Sequence, residues 1–282
     1  MSAQGRTRER PESRWFLAAV VALLALPPLA LENNGYYLRV ATLVLMYAGL
    51  GTAWNLIGGY ANQVSLGHAA FFGLGAYTST LLLKHAGLSP WIGMLAATVV
   101  AGLASLIIGV PTFRLRGHYY ALATLAFAEI LRVLALYFRN LTGGAVGLTV
   151  PYLGESMWHF QFYGNRAYYL IALAMLLGTV AITHHLDRGP LGYQLRALKG
   201  SHEAAEVVGV DTYRAKLKAN LISAMITGAY GTFYAQYQFF IDPDTVFGTM
   251  VISVKMALMA ILGGLATTWG PLVGAVILVP LD

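Results

Sequence analysis

The chain has 282 residues, of which 57% are hydrophobic and 11% are charged. Soluble domains carry about 25% charged residues, so this composition excludes an ordinary soluble protein. The net charge of +6 reflects orientation in a membrane rather than binding to nucleic acid. The absence of cysteine excludes disulfides and thiolate metal ligands.

Apolar runs, separated by short islands of charge, approach the ~20 residues that a helix needs to cross a bilayer. They lie at 15–31, 36–57, 63–83, 91–110, 119–138, 167–186, 217–240, 249–265 and, as a shorter run, 270–281. The first run lacks the small-residue cleavage site of a signal peptide, so we predict that it is retained as a helix. The sequence predicts an all-α polytopic membrane protein of about eight or nine transmembrane helices. Residues 15–282 form its membrane domain, after a basic tail at 1–14.

Lysine and arginine residues fix the predicted orientation, because cytoplasmic segments of membrane proteins carry an excess of them. Twelve of the 18 basic residues fall in three islands. The islands are Arg6, Arg8, Arg10 and Arg14; Arg114 and Arg116; and Arg188, Arg196, Lys199, Arg214, Lys216 and Lys218. A cytoplasmic N-terminus places all three islands on the cytoplasmic side, after an even number of spans. The loop at 187–216 is then cytoplasmic, and the loop at 139–166 is external.

The cytoplasmic loop at 187–216 contains a short helical pattern that begins near Ser201. One face of this helix is small and apolar, and it comprises Ala204, Ala205, Val207 and Val208. Its two glutamates point elsewhere, and Gly209 ends it, as glycine does just past a helix C-terminus. A second helix is predicted to start near Thr212 and to lead into the seventh span. Such a projecting surface fits the groove of a partner protein, and the alternative is an ordinary solvated loop.

The sequence "EAAEVVG", from Glu203 to Gly209, resembles the EAA motif of ABC-importer permeases. In that motif, Glu-Ala-Ala is followed by three residues and then Gly. Four further stretches resemble the LivM permeases of branched-chain amino-acid importers, and with the EAA motif they cover residues 40–275 in the same order. They are "NLIGGYANQVSLGHAAFFGLGAY" (55–77), "RLRGHYYALATLAFAEILRVL" (114–134), "LTGGAVGLTVP" (141–151) and "ILGGLATTWGPLVGA" (261–275). Family members usually continue well past the last stretch, so the ninth segment is expected to be either short or truncated.

The resemblance implies the permease fold of an ABC importer in the bacterial inner membrane. Its implied partners are two ABC ATPase subunits, a homologous LivH-like permease and a periplasmic or lipid-anchored solute-binding protein. The resemblance implies that residues 203–209 form a coupling helix that contacts the ATPase, with Glu203, Ala204, Ala205 and Gly209 as its motif residues. The resemblance also implies that the external loop faces the binding protein, with the residues Thr142, Gly143, Gly144 and Gly147. By themselves, these residues fit a simple surface turn equally well. The implied solutes are branched-chain or other hydrophobic amino acids, with urea or short amides as the alternative.

The residues themselves point away from catalysis. A P-loop for ATP requires GxxxxGK[ST], and no lysine in this sequence follows a glycine. Neither a metal-ligand spacing nor a nucleophile–base arrangement is visible. We therefore predict no catalytic residue, no metal and no cofactor, with ATP hydrolysis on a partner subunit.

Polar residues at membrane depth are the candidates for a translocation path. Four of them interrupt the glycine-rich segment at 58–75, namely Asn62, Gln63, Ser65 and His68. Glu129 and Arg132 lie three residues apart on one helical face, where they either face the path or form a structural ion pair. The glycines of the interrupted segment also fit simple tight packing of helices. An ion-coupled transporter or channel using Glu129, Arg132 and Lys255, or a membrane-embedded enzyme, remains an alternative.

Overall fold

The computed structural model describes residues 35–115, 117–200 and 202–281. The basic tail at 1–14, the predicted span at 15–31, Arg116 and Ser201 lie outside the described residues. Within those ranges, four helices are long and apolar enough to cross a membrane, namely Gly35–Tyr60, Pro90–Thr112, His118–Tyr137 and Asn165–Arg188. They contain 26, 23, 20 and 24 residues, close to what ~30 Å of hydrocarbon requires.

The elements follow one another along the chain with short connections. The first helices are α1 (Gly35–Asn55), α2 (His68–Ala86), α3 (Pro90–Thr112), α4 (His118–Tyr137) and the short α5 (Arg139–Thr142). The next are α6 (Asn165–Arg188), α7 (Pro190–Gly200), α8 (His202–Val207) and α9 (Thr212–Gln238). The last are α10 (Pro243–Val246), α11 (Lys255–Gly263) and α12 (Gly270–Leu278). A π-helical turn at Leu56–Tyr60 extends α1, and a second one at Met250–Val254 precedes α11. Short 3-10 turns lie at Gly144–Val146 and Val279–Leu281.

Two short strands join distant parts of the chain on the predicted external side. Strand β1 (Leu148–Thr149) belongs to the loop at 139–166, and strand β2 (Phe240–Ile241) directly follows α9. They pair antiparallel, with Leu148 opposite Ile241. The loop is further anchored by Phe160, which is fully buried and stacks on Trp91 with 4.4 Å between ring centroids. The loop at 139–166 is therefore a packed cap.

Local signals explain where several helices begin and end. The Oγ of Ser89 caps α3 by accepting a hydrogen bond from the Trp91 N–H at 3.3 Å. Asp211 caps α9 in the same way, accepting from the Arg214 N–H at 2.9 Å. Helix α2 ends at Gly87, whose φ of 63° is the left-handed conformation that commonly follows a helix.

The centre of the molecule is the packing of α2 against α3 and α9. A Cβ atom on Gly75 of α2 would lie 2.1 Å from the carbonyl oxygen of Gly228 on α9. A Cβ atom on Gly231 would lie 2.1 Å from the carbonyl oxygen of Phe72. The backbones of α2 and α9 therefore touch, as they do where small residues line membrane helices. The packing interpretation is confirmed for Gly75.

The C-terminal helices α11 and α12 form a hairpin that packs on α1. Their backbones also approach closely, because a Cβ atom on Gly263 would lie 1.7 Å from the carbonyl oxygen of Gly270. The tip of the hairpin reaches the end of α1, where the Asn55 side chain donates to the Thr267 carbonyl at 2.9 Å and accepts from the Ala266 N–H at 3.0 Å. The ninth predicted segment is a short helix that continues as a 3-10 turn through Leu281.

Most predicted spans agree with helices. The apolar run at 63–83, whose polar and glycine-rich start also fits a broken helix, is helical only from His68, where α2 begins. Residues 61–67 form no helix, and Asn62 has a left-handed φ of 54°. The cause is tertiary, since the polar backbone of this segment bonds to side chains of other helices, as described below.

The loop at 187–216 contains more regular structure than its sequence predicts. The helix expected near Thr212 is confirmed as α9, but α7 was not predicted. Helix α7 buries Leu195 and Leu198, which are 2% and 6% exposed. They pack in one hydrophobic cluster with Ile57 and Tyr60 of the first π-turn. The loop is thereby fixed to the membrane domain.

Candidate functional site

The interruption between α1 and α2 lies at the middle of the candidate site. Its backbone is bonded by side chains that come from two different helices, α4 and α1. The Leu66 N–H donates to the Thr124 Oγ1 of α4 at 3.1 Å. The Trp54 Nε1–H of α1 donates to the carbonyl of Ser65 at 2.7 Å. An irregular backbone at membrane depth is stable only where such partners replace the missing helical bonds.

The start of α2 is held by a second set of buried side chains around His68, which is fully buried. Its Nδ1 lies 3.0 Å from the Oγ of Ser65, and its Nε2 lies 2.8 Å from the Oγ of Ser223 on α9. The Ser223 hydroxyl donates to the Ala53 carbonyl of α1 at 2.5 Å. On the other side, the hydroxyl of Tyr120 on α4 hydrogen-bonds to Ser65. We call these five residues the His68 network.

The four polar residues that the sequence places in this segment separate into two pairs. Ser65 and His68 are buried, at 1% and 0% exposure, and belong to the His68 network. Asn62 is exposed and Gln63 is partly exposed. The Gln63 Oε1 is buried and has no hydrogen-bond partner among the described residues. Asn62 is therefore accessible from outside the chain and Gln63 is accessible in part, whereas Ser65 and His68 support the segment from the protein interior.

Glu129 and Arg132 of α4 form an ion pair that includes a third residue. The Arg132 Nε lies 3.0 Å from both carboxylate oxygens of Glu129, and one of its terminal nitrogens lies 2.5 Å from Asp244 of α10. The side chains of Glu129, Arg132 and Asp244 are 48%, 29% and 63% exposed. Arg132 thus bridges α4 and α10, and the cluster has a net charge of −1. The third charged candidate, Lys255, places its Nζ 5.6 Å from the ring centroid of Tyr47.

The EAA-like segment forms the short helix α8, which ends where the sequence predicts. The Val210 N–H donates to the Ala205 carbonyl at 3.0 Å, and the Gly209 N–H donates to the Glu206 carbonyl at 3.0 Å. Gly209 has a φ of 83°. These bonds and this conformation form a Schellman motif, which favours glycine at this position.

The predicted apolar face of α8 is divided between the protein interior and the surface. Ala205 is 2% exposed and packs inward, whereas Ala204 is exposed and Val207 and Val208 are 86% and 74% exposed. The reason is the short length of the helix, since its last turn extends beyond the elements that cover Ala205. The two valines therefore form an apolar projection at the end of α8.

Helix α8 is tied to the start of α9 through a side-chain contact. The Thr212 Oγ1 donates to the Oε1 of Glu206 at 2.9 Å. Thr212 is the first residue of α9, and it is buried. A displacement of α8 therefore acts on the N-terminal end of α9 across a connection of four residues, 208–211.

The glycine turn at 142–147 is tightly built. The Thr142 Oγ1 donates to the carbonyls of Ala135 and Phe138 at 2.5 and 2.9 Å. Gly143, Gly144 and Gly147 have φ values of 74°, 55° and 77°, which L side chains rarely adopt. A Cβ atom on Gly143 would lie 2.1 Å from the Gly147 carbonyl oxygen. The turn therefore has a fixed shape that depends on its glycines.

Sequence reasoning missed several residues of these sites, among them Asn55, Ser223 and Asp244. The side-chain partners of Asn55 and Ser223 are 155 residues or more away in the chain, so no local pattern reveals them. Asp244 follows "IDP", an Asp-Pro pair typical of a helix start, and Asp242 does cap α10. That signal identifies a short helix here but not its contact with Arg132.

Known proteins are similar in sequence to this chain over nearly its whole length. The sequence profile of the family described as "Branched-chain amino acid transport system / permease component" matches residues 36–282. The LivM permease of the high-affinity branched-chain amino acid transport system of Escherichia coli (strain K12) is 31% identical over 95% of this chain and 67% of its own length. No solved structure matches the chain.

More distant relatives extend the comparison to other permeases. The LivH permease of Escherichia coli (strain K12) is 22% identical over 84% of this chain and 80% of its own length. The L-arabinose ABC transporter permease AraH of Azospirillum brasilense is 27% identical over 72% of this chain and 58% of its own length. With the profile match and the LivM match, these findings confirm the resemblance carried by the EAA-like and glycine-rich motifs. The chain belongs to the family of branched-chain amino acid permease components, and it is the membrane-spanning permease subunit of an ABC importer whose ATPase is a separate subunit.

Proposed function

We propose that this permease imports branched-chain or other hydrophobic amino acids across the bacterial inner membrane. In this proposal it works with a LivH-like second permease, two ABC ATPases and an external solute-binding protein. The names of the LivM and LivH relatives support this solute class. AraH is named for a sugar, so the uptake screen includes L-arabinose, urea and short amides beside leucine, isoleucine and valine.

The observation that carries the proposal is the projection at the end of α8. Val207 and Val208 are largely exposed, although the helix is fixed by its Schellman motif and by the bond from Thr212 to Glu206. A rigid helix end with two exposed apolar side chains fits an apolar cleft of a partner. We assign this cleft to the ATPase, with Glu203, Ala204, Ala205 and Gly209 shaping the helix that enters it.

The energy for transport then comes from the ATPase pair. ATP binding closes the pair and displaces α8 together with the start of α9, and the permease changes from an outward-facing to an inward-facing state. This requires that nucleotide and the loaded binding protein bind the two states with different affinities. On the external side, the binding protein docks on the cap formed by the loop at 139–166, which includes Thr142, Gly143, Gly144 and Gly147.

We place the translocation path along the exposed polar residues Asn62, Gln63, Glu129 and Arg132. A carboxylate at membrane depth is costly in hydrocarbon, and nearly half of the Glu129 side chain is exposed in the single chain. The face of α4 that carries Glu129 is therefore covered by the second permease or borders the path between the two subunits. Ser65 and His68 support the path without lining it.

The orientation can be tested directly, because the chain contains no cysteine. Val208→Cys and Val146→Cys introduce single thiols at positions that are 74% and 84% exposed. In intact cells, a membrane-impermeant maleimide is expected to label Cys at 146 and not at 208, and inside-out vesicles are expected to give the reverse. Labelling of both positions from the same side would refute the assigned topology and the cytoplasmic N-terminus.

The docking assignment is tested by reconstituting the complex with its neighbouring subunits. Val208→Asp is expected to release the ATPase during purification and to abolish ATP-driven uptake, because a carboxylate in an apolar cleft is unpaired and desolvated. Val146→Asp is the matched control, since it is equally exposed on the other side and should retain the ATPase. Normal ATPase retention and uptake by Val208→Asp would refute docking through α8.

A further inference from the structure

The hydrogen bonds of the His68 network all run in one direction. The carbonyl of Ala53 only accepts, so the single hydroxyl proton of Ser223 is donated to it, at 2.5 Å. Ser223 must then accept from His68, which carries its proton on Nε2. The Nδ1 of His68 is left as an acceptor for the Ser65 hydroxyl at 3.0 Å. Ser65 is also hydrogen-bonded to Tyr120, and because its own proton goes to His68, we infer that Ser65 is the acceptor of this bond. The bonds therefore run from Tyr120 to Ala53 as one continuous chain.

The network is closed to water, which fixes its arrangement. Tyr120, Ser65, His68 and Ser223 are 1%, 1%, 0% and 0% exposed. Breaking one bond leaves a buried donor or acceptor unpaired, and water cannot replace the partner. Fully satisfied buried networks favour one arrangement of the groups that they join. A shift of any one member therefore forces its neighbours to follow.

The joined elements are those that the proposed function requires to move together. Ser223 lies on α9, eleven residues after Thr212, which is the residue bonded to Glu206 of α8. At 1.5 Å per residue, this is about 16 Å along the helix. Ser65 lies in the interruption that exposes Asn62, and Tyr120 lies on α4, the helix that carries the exposed Glu129. The network thus connects the helix next to the ATPase side with both parts of the assigned path.

We propose that His68 is a positioning residue for transport, which transmits displacement of α9 to the segment at 61–67 and to α4. Its Nε2–H follows Ser223, and its Nδ1 draws Ser65 and the attached segment with it. His68 itself does not touch the solute, since it is fully buried. This inference rests on the proposed function, because the displacement of α9 originates at the ATPase.

The test uses the complete transporter reconstituted in proteoliposomes with its ATPases, second permease and binding protein. Ser223→Ala removes the acceptor of His68. The matched control is Thr227→Ala, one turn further on α9, because Thr227 is also fully buried but donates to the Ser223 carbonyl within its own helix at 2.8 Å. The readouts are solute taken up per ATP hydrolysed, stimulation of the ATPase by loaded binding protein, and the melting temperature.

We expect Ser223→Ala to reduce the solute taken up per ATP about tenfold, within the range of allosteric coupling between sites. The stimulation of its ATPase by the binding protein should be lost, while basal ATP hydrolysis stays close to that of Thr227→Ala. The melting temperature should fall only by what one unpaired buried N–H on His68 costs. Ser223→Thr retains the hydroxyl and should restore coupling. Ser65→Ala breaks the network on the other side of His68 and should give the same uncoupling, so either variant decides the question if the other fails to assemble.

Several results would overturn the inference. Equal coupling in Ser223→Ala and Thr227→Ala would show that the bond to His68 transmits nothing. Loss of coupling in strict proportion to melting temperature across the variants would assign the network a structural role alone. In a double variant, Ser65→Ala with Ser223→Ala should be no worse than either single change, and additive losses would contradict a single chain. A wild-type complex that hydrolyses ATP but takes up none of the tested solutes would instead contradict the proposed function.

Discussion

The contact between Gly75 of α2 and Gly228 of α9 gives a sharp prediction about stability. A Cβ atom added at Gly75 would lie 2.1 Å from the Gly228 carbonyl oxygen, whereas carbon and oxygen in contact lie about 3.3 Å apart. The two helices must separate by about 1 Å, and no side chain can turn away to relieve the clash. Overpacking lowers the free energy of unfolding by about 1–3 kcal/mol, and a clash with backbone lies near the upper end of this range. The higher helix propensity of alanine offsets about 1 kcal/mol of this loss. We therefore expect Gly75→Ala to lower the free energy of unfolding by about 2 kcal/mol.

The same substitution at Gly178, in the middle of α6, is the matched control, since a Cβ atom there would meet no atom within 4 Å. Gly178→Ala is expected to be neutral or to stabilise by up to about 1 kcal/mol. The assay is thermal unfolding of the purified permease in detergent. Gly75→Ala should melt about 4–8 °C below the wild type, and Gly178→Ala should not melt below it. Equal melting temperatures for the two variants would refute the reasoning that α2 and α9 are in backbone contact.

Three further predictions concern the tip of the C-terminal hairpin, the ion cluster and the coupling helix. Asn55→Ala removes two hydrogen bonds of a buried side chain to partly buried backbone groups and should cost about 1 kcal/mol in thermal unfolding. Asn140→Ala on the exposed α5 should stay within about 0.5 kcal/mol. Asp244→Asn should change stability by less than about 1 kcal/mol because the side chain is mostly exposed, and a larger loss would mean that hydrocarbon or a partner encloses the bridge to Arg132. Gly209→Ala places a Cβ at a φ of 83° and should weaken α8 by about 1 kcal/mol, seen as reduced ATPase retention and uptake. Wild-type retention and uptake would contradict it.

The spans were predictable because their signal is local. The length and apolar composition of α3, α4 and α6 are properties of the sequence between their ends. The positions of arginine and lysine, from which the orientation is predicted, can likewise be read directly from the sequence. The end of α8 at Gly209 was also predictable, because a Schellman motif is completed within six residues. The family motifs added the order in which these elements occur.

The interruption at 61–67 shows what the sequence does not reveal. Its glycines and polar residues fit both tight packing and a broken helix, and the choice depends on Thr124 and Trp54, which supply hydrogen bonds from other helices. The same holds for His68, whose polar character fitted a path as well as it fitted a buried network. Helix α7 left a readable local signal, since a proline at its first position is followed by leucines at 191, 195 and 198.

Helix α9 runs unbroken for 27 residues, or about 40 Å. Its first residue, Thr212, is hydrogen-bonded to Glu206 of α8. Just beyond the last turn of α9, strand β2 pairs with strand β1 of the loop at 139–166. A rod held at a point between its ends tilts in opposite directions at those ends, and Gly228 and Gly231 hold α9 against α3 and α2 about two thirds of the way along it. The close contacts that the glycines permit therefore act as a pivot for α9. A displacement of α8 would then move the paired strands β1 and β2, at the other end of α9, in the opposite direction.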